Sequence, residues 1–173
     1  MAKNGDKKPV KVSKAGPPTK LVVGKPGAPD PLAVLRYEHR TLDNLFGQFE
    51  ARKDHRMARR ICSNIRSHSK VEEDFYRGAE AIPELHDRID KSFKEHRLLE
   101  ELTQAISPLG DGQALNELML ALQQAVEQHV REEERTVFPV VLKALSKQAL
   151  RDLDMSLRAA QDNLLESSKA PAV

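Results

Sequence analysis

The stretch "SHSKVEEDFY", residues 67–76, places polar groups on the apolar face of a predicted helix. His68 and Glu72 are four residues apart, so their side chains lie one above the other on one helix face. The same face carries Ile61, Ile65 and Phe75, which form an apolar stripe. An imidazole and a carboxylate in such a stripe point into the protein core. They therefore need partners there, because burying unpaired polar groups is unfavourable.

Apolar residues recur at steps of three and four along most of the chain, and this period predicts an all-α fold. Four helices of similar length with short connections favour an up-down-up-down four-helix bundle, followed by an additional C-terminal helix. Pro139 is expected to end or kink the fourth helix. The predicted helices run from the Asp30-Pro31 start to about residue 51, from Asp54 to about residue 82, from Leu85 to the "SPLGDG" turn, from Leu115 to Val137, and from Ser146 to Leu165.

Composition supports this class, since 31% of the 173 residues are charged and only 4% are aromatic. Residues 1–29 are rich in Lys, Pro and Gly without periodicity, which predicts a disordered basic tail. The helical bundle is predicted over residues 30–166, and residues 167–173 are predicted to fray. The first 30 residues hold seven Lys and two Asp, so the remaining chain is mildly acidic. We therefore expect no specific nucleic-acid partner.

Cys62 is the only cysteine in the chain, so a disulfide within the chain is impossible. No apolar run approaches the ~20 residues of a membrane span, and the N-terminus lacks the apolar core of a signal peptide. These features predict a protein without a membrane partner, in the cytoplasm.

Each of the four bundle helices carries one histidine in its apolar stripe, and these are His39, His68, His96 and His129. Counted from predicted turns near residues 52, 81 and 110, the four histidines lie about equally far from the ends of their helices. At ~1.5 Å rise per residue they all fall near one level in the middle of the bundle. His55 and His86 lie close to turns and are predicted to be surface residues.

Carboxylates follow these histidines at the fourth position, as Asp43, Glu72, Glu100 and Glu133. Helices 2 and 4 run in the same direction, so Glu72 and Glu133 share a level one turn above the histidines. Asp43 and Glu100 lie one turn below them. Two buried carboxylates repel each other, and no Lys or Arg lies in the stripes to pair with them. One dication or two bridged dications would neutralise both; imidazole with carboxylate suits iron, with manganese and zinc as competitors.

Four segments in order resemble the helices of the hemerythrin-like, or HHE cation-binding, domain family. They are "YEHRTLDNLFGQF" (37–49), "HSKVEEDFY" (68–76), "KEHRLLEEL" (94–102) and "QHVREEERTVFP" (128–139). The resemblance covers about residues 31–142 and implies a four-helix bundle around two non-haem iron ions. It implies that the four stripe histidines are ligands and that Glu72 and Glu133 bridge the irons. The rival ferritin-like bundles use Glu-x-x-His instead.

The chain departs from oxygen-carrying hemerythrins at two positions. Glu100 stands where the carriers have a second histidine on the third helix. The carriers also have an aspartate five residues after the last histidine, whereas this chain has Glu133 four residues and Glu134 five residues after His129. A redox or stress role that binds or senses O₂, peroxide or nitric oxide, or handles iron, is therefore favoured over oxygen transport. Enzymatic turnover is at most peroxidase- or oxidase-like.

The sequence leaves a second class of function open. The bundle, its fifth helix and the basic tail also suit an interaction or signalling module with a vestigial or purely structural metal site. The sequence does not identify a protein partner. Tyr76, one turn beyond Glu72, is either a core residue or a phenol next to the metal ligands.

Overall fold

The computed structural model describes residues 30–169 of the chain, with side chains up to residue 163. The predicted disorder of residues 1–29, and the last four residues of the predicted frayed end, lie outside this part. All regular elements within residues 30–169 are helical, which confirms the all-α prediction. They are α1 (Ala33–Arg52), α2 (His55–Ala79), a 3-10 helix (Pro83–Leu85), α3 (His86–Ile106), α4 (Gln113–Glu132), a π-helix (Glu133–Val137), α5 (Phe138–Ala144) and α6 (Lys147–Lys169).

Helices α1 to α4 form the bundle. Each packs on the next, α1 on α2, α2 on α3 and α3 on α4. Short connections make such neighbours antiparallel, as predicted. The additional C-terminal helix, α6, packs against both α1 and α2. One side of the bundle is therefore covered by a fifth long helix.

Two aspartates organise the entries to the first helices. Oδ1 of Asp54 accepts a hydrogen bond from the backbone N–H of Met57 at 2.8 Å, so Asp54 caps α2 at the start predicted for this helix. Asp30 accepts from the N–H of Leu32 through its side chain at 3.0 Å and from that of Ala33 through its carbonyl at 3.1 Å. Regular α-helix begins only at Ala33, because Asp30 first directs a turn.

The fourth helix differs from its predicted pattern in two respects. The spacing of apolar residues from Leu115 through Leu122 to His129 predicts Leu118 and Ala125 on the buried stripe of this helix. In the structure Met119 and Val126 are buried and Leu118 and Ala125 only half-buried, because the buried face advances by four residues where the prediction has a step of three. The winding also widens before Pro139, since the N–H of Phe138 donates to the carbonyl of Glu133, five residues back. Proline has no N–H and crowds the carbonyl four residues earlier, which accounts for a change of winding at this place.

Two apolar clusters lie on either side of the predicted histidine level. One contains Phe46, Ile61 and Leu122, and the other contains Leu35 and Phe138, among others. Each fully buried aliphatic side chain of this kind contributes about 1.5–3 kcal/mol relative to an exposed one. The polar layer between the clusters is thus held by packed surfaces on both sides. In residues 30–169, no helix combines the length and hydrophobicity needed to cross a membrane.

Candidate metal centre

The four predicted histidines meet in the middle of the bundle, one from each of its helices. His39 comes from α1, His68 from α2, His96 from α3 and His129 from α4. All four are at most 5% exposed. The His39 and His68 rings lie 4.8 Å apart between centroids, and so do the His96 and His129 rings. We call His39 with His68 the first half-site, and His96 with His129 the second half-site.

Glu72 lies at the centre of the cluster and contacts all four imidazoles. Its Oε1 is 3.3 Å from Nε2 of His39 and 3.0 Å from Nε2 of His68. Its Oε2 is 3.1 Å from Nε2 of His96 and 3.2 Å from Nε2 of His129. The Glu72 side chain is completely buried. Each carboxylate oxygen therefore faces one half-site.

Glu133, at the start of the π-helix, has a different environment from Glu72. Its Oε2 is 3.2 Å from Nε2 of His39, and its Oε1 accepts a hydrogen bond of 2.7 Å from the hydroxyl of Tyr76. Tyr76 is completely buried, and its ring stacks on His96 with 5.9 Å between centroids. Both sequence alternatives for Tyr76 therefore hold: its ring belongs to the apolar cluster that contains Phe138, and its phenol hydroxyl lies beside the candidate ligands.

The donor atoms form two groups that can each hold a metal ion. One consists of His39, His68 and Glu72, and the other of Glu72, His96 and His129; within each group the ligand atoms lie within 4.8 Å of one another. Two buried atoms that face this space, Nε2 of His68 and Oε2 of Glu133, make no hydrogen bond in the structure. Buried polar atoms without partners are unfavourable, and a cation would satisfy them.

An outer ring of carboxylates fixes the orientation of the imidazoles, and we call its four members the outer carboxylates. Nδ1 of His39 donates to Glu134 at 2.8 Å, Nδ1 of His68 donates to Glu38 at 2.9 Å, and Nδ1 of His129 donates to Glu95 at 3.0 Å. The fourth outer carboxylate, Glu73, lies 3.7 Å from Nδ1 of His96, which makes no hydrogen bond. An ionised carboxylate only accepts hydrogen bonds, so in the neutral form His39, His68 and His129 carry the ring proton on Nδ1. The Nε2 lone pairs are then left for a metal, an arrangement typical of histidine-bound metal sites.

Sequence reasoning missed the outer carboxylates, although a repeat in the sequence marks them. "EHR" occurs at residues 38–40 and 95–97, and a histidine followed at positions four and five by two glutamates occurs at residues 68–73 and 129–134. The glutamate of each "EHR" contacts the histidine of the following helix. The second glutamate of each pair contacts, or approaches, the histidine of an "EHR". Contacts of this kind depend on the lateral placement of helices, which spacing along one helix does not give.

The histidines and carboxylates of the cluster stabilise each other's charged forms. Burial alone would lower the pKa of His39, but the neighbouring carboxylates of Glu133, Glu134 and Glu72 hold it well above its ordinary value. Burial also opposes the charged form of His129, yet its carboxylate partners raise its pKa to about 10. Protons therefore compete with a metal for these nitrogens, as in metal sites generally.

The pKa values of the two carboxylates facing the centre are shifted in opposite directions. Burial opposes ionisation of Glu72, but the charge of His68 and hydrogen bonds from the histidines hold its pKa well below the ordinary value. Burial, and then repulsion from Glu72, raise the pKa of Glu133. Burial and the carboxylates Glu133 and Glu72 also raise the pKa of Tyr76 well above its usual range, so its phenol remains a hydrogen-bond donor.

The other acids and histidines considered from the sequence lie away from the cluster. Asp43 is exposed, and the Glu100 carboxylate accepts a hydrogen bond from Gln104 at 2.8 Å on the outside of α3. His55 contacts the exposed Asp111, with 2.9 Å between Nδ1 and Oδ1. His86 is also exposed, and its ring donates to the carbonyl of Glu80. Their positions fit the surface roles predicted for the two histidines.

Fold and site together define a helical bundle with a histidine- and carboxylate-lined cluster in its core that can hold cations. Comparison with protein families agrees with this class, because the model of the hemerythrin HHE cation-binding domain matches residues 30–141. The chain belongs to the hemerythrin HHE cation-binding domain family. Comparison with curated proteins and with solved structures gives no significant match.

Proposed function

We propose that this protein is a hemerythrin-like non-haem di-iron protein, with His39, His68, Glu72, His96, His129 and Glu133 as its metal ligands. The observation that carries the proposal is the position of Glu72, whose two oxygens each lie 3.0–3.3 Å from a pair of histidine nitrogens. A carboxylate with this geometry is suited to bridge two cations. A single tetrahedral ion would use fewer donors than the six present.

Iron is the metal that this donor set suits best among abundant redox metals. Mixed imidazole and carboxylate donors favour iron over the thiolate-binding metals, with manganese and zinc as competitors. The one cysteine of the chain, Cys62, belongs to the apolar cluster below the site, and burial raises its pKa to about 11. The neutral thiol is a poor metal ligand, so the cluster's chemistry is that of nitrogen and oxygen donors.

The proposed role is to bind or sense O₂, peroxide or nitric oxide, or to handle iron, in a redox or stress response. Supporting this, Glu100 occupies the position of the carriers' additional histidine and turns its carboxylate toward Gln104. The proposed ligand set therefore has one neutral imidazole fewer than an oxygen carrier. A higher share of carboxylate donors stabilises the ferric state and disfavours reversible O₂ binding.

Metal analysis with visible spectroscopy tests this proposal. Aerobically purified, iron-reconstituted protein should contain about two iron ions per chain, one for each of the two donor groups, and should show an oxo-bridged absorption. Spectra of the reduced protein, recorded anaerobically with added O₂, peroxide or nitric oxide, would then identify the ligand. Protein that holds no iron, or a single tightly bound ion, would refute the di-iron function and favour an interaction module with a vestigial or structural site.

A further inference from the structure

A groove runs along the surface between α2 and α6. It has a volume of about 340 Å³, and its lining includes Phe75 from α2 and Leu153 and Leu157 from α6. Phe75 and Leu157 are buried in the apolar cluster that contains Phe138, and the half-buried Leu153 packs against this cluster. The groove therefore has a core-packed floor and, on the side of α6, an apolar wall that solvent partly reaches.

The rim of this groove is acidic. Asp74 from α2 and Asp152 from α6 both line it, and both are exposed. Asp74 pairs with Arg77 on its own helix. Asp152 accepts a hydrogen bond from Gln148 at 2.8 Å and, within the described part of the chain, forms no ion pair. The groove therefore suits an apolar segment that also carries positive charge.

The chain contains such a segment in the part that precedes the described residues. Residues 1–29 include seven Lys and a single acid, Asp6. Leu21-Val22-Val23 is the one run of three consecutive apolar residues in this part, and it lies between Lys20 and Lys25. We call residues 20–25 the apolar-basic segment. Its side chains match both the apolar wall and the acidic rim of the groove.

The described chain begins at the same apolar cluster that forms the floor of the groove. Leu32 is completely buried in this cluster, and α1 packs against α6. Residues 25 to 30 can span about 17 Å when extended, at ~3.3–3.6 Å per residue, whereas a helix with its side chains is ~10–12 Å wide. The link from Asp30 to the apolar-basic segment is therefore long enough to pass across one helix such as α6.

We propose that the groove between α2 and α6 binds the apolar-basic segment of the same chain. Leu21, Val22 and Val23 contact the apolar wall, and the two flanking lysines lie near the acidic rim. Exposed ion pairs contribute little to stability, so the apolar contacts supply most of the affinity and the lysines favour one orientation. Binding orders a short part of the tail that the sequence predicts to be disordered, and it adds contacts that hold α6 against α2. The inference does not depend on the proposed di-iron function.

Disulfide trapping in the full chain tests this proposal. Ser156 is exposed and lines the groove, whereas the next residue, Met155, is 60% exposed and is not part of the lining. The only native cysteine, Cys62, is buried. Under mild oxidation, Ser156→Cys should form an intrachain disulfide at least about fivefold faster than Met155→Cys, because the two Cα atoms must approach within ~7 Å. Each is combined in turn with one of three partner substitutions, Leu21→Cys, Val22→Cys and Val23→Cys.

Two outcomes of the trapping experiment would overturn the proposal. Equal rates for positions 155 and 156 with all three partners would show that the segment does not bind in the groove. Disulfides formed mainly between two chains, with a rate that rises with protein concentration, would show that the occupant comes from a second copy. Mass spectrometry of the oxidised protein distinguishes linked chains from chains with an internal disulfide.

Filling the groove provides an independent test. Gly78 lines the groove, and a Cβ added to it would meet no atom within 4 Å, so Gly78→Leu should fold normally and occupy space in the groove. It should reduce trapping at position 156 to the rate seen at position 155. The matched control is Gly47→Leu on the exposed face of α1, where an added Cβ likewise meets no atom within 4 Å. Circular dichroism checks that both variants fold, and fast trapping that persists in Gly78→Leu would overturn the assignment of the groove.

Reversing the charge of the flanking lysines tests the complementarity with the rim. Lys20→Glu combined with Lys25→Glu should slow trapping at position 156, because both new carboxylates would face an acidic rim. Lys3→Glu combined with Lys7→Glu makes the same change in net charge outside the segment and should leave the rate unchanged. Equal effects of the two pairs would overturn the pairing of these lysines with the rim.

Discussion

His39 and His68 occupy the same positions in the sequence repeat as His96 and His129, yet the two half-sites have different surroundings. In the first half-site both histidines donate to outer carboxylates, at 2.8 and 2.9 Å. In the second, only His129 does so, at 3.0 Å, and His96 has no such bond. The same motif has therefore produced one tightly held pair of imidazoles and one looser pair.

A second difference between the half-sites comes from residues outside the repeat. One turn after Glu72 stands Tyr76, whereas one turn after Glu133 stands Val137. The phenol can hold the carboxylate of Glu133, while valine has no group that could hold Glu72. When equivalent ligands of a repeat have different neighbours, the two metal positions that they form can differ in their properties.

Helix α6 adds to the difference, because it covers only one side of the bundle. Gln161 donates to Oε1 of Glu38 at 3.1 Å, and Glu38 in turn accepts from His68. Among the described residues, the corresponding oxygen of Glu95, at the second half-site, makes no hydrogen bond, and it lies 3.7 Å from Nζ of Lys91. The fifth helix thus supports the first half-site through a chain of hydrogen bonds.

Removing the central carboxylate should have the largest effect. Glu72 contacts all four histidines, so Glu72→Gln should reduce iron content from about two ions per chain to nearly none. Glu133→Gln should lose at most the ion of the first half-site. Iron per chain is the measurement, with His55→Ala and His86→Ala as controls that should match the parent. Equal iron loss in Glu72→Gln and Glu133→Gln would mean that the two carboxylates are equivalent.

Metal removal should lower the melting temperature of the parent protein. An ion bound only by the folded state stabilises it by about 2.7 kcal/mol at a free concentration ~100 times its Kd, which corresponds to roughly 5–10 °C in a domain of this size. Thermal unfolding followed by circular dichroism, with and without chelator, measures this difference. It should disappear in Glu72→Gln and persist in part in Glu133→Gln. A parent that melts at the same temperature in both states would show that metal binding is not coupled to the fold.

The outer carboxylates offer a matched pair of substitutions for comparing the half-sites. Glu134→Ala removes a 2.8 Å hydrogen bond to His39 and should weaken metal binding about 10- to 100-fold. Glu73→Ala removes a carboxylate that is 3.7 Å from His96 and should change affinity much less. Competition with a chelator of known affinity gives both values. Equal losses would show that the half-sites are held alike when metal is bound.

The fold and the inward-facing residues could be predicted from the sequence, because both depend on helical period and on distances from turns. His39, His68, His96 and His129 were placed at one level by counting alone, and the structure brings them together. The stripe of α4 was predicted less well. The spacing of apolar residues favours Leu118 and Ala125 as core residues, but Met119 and Val126 are the residues buried in the core.

Contacts between helices could not be derived from the spacing within each helix. The hydrogen bond from Tyr76 to Glu133 depends on the rotation of α2 against the π-helix, and the widened winding at Glu133–Val137 alters that rotation. The pairing of Glu134 with His39 joins residues 95 positions apart. Only the repeat of "EHR" and of the paired glutamates indicated such residues, without showing which histidine each would meet.

The smallest expected effect concerns the contact between α6 and the first half-site. Gln161→Ala removes the hydrogen bond to Glu38 but leaves Glu38 and its bond to His68 in place. A hydrogen bond of this kind contributes about 1 kcal/mol, so metal affinity at the first half-site should fall by a factor of about five or less. The suitable control is Gln123→Ala, because Gln123 donates to Glu127 at 2.9 Å on the exposed face of α4, away from the cluster. Chelator competition on both variants measures the difference. If Gln161→Ala bound metal as tightly as Gln123→Ala, α6 would not support the first half-site, and the difference between the half-sites would have to come from Tyr76 and the outer carboxylates alone.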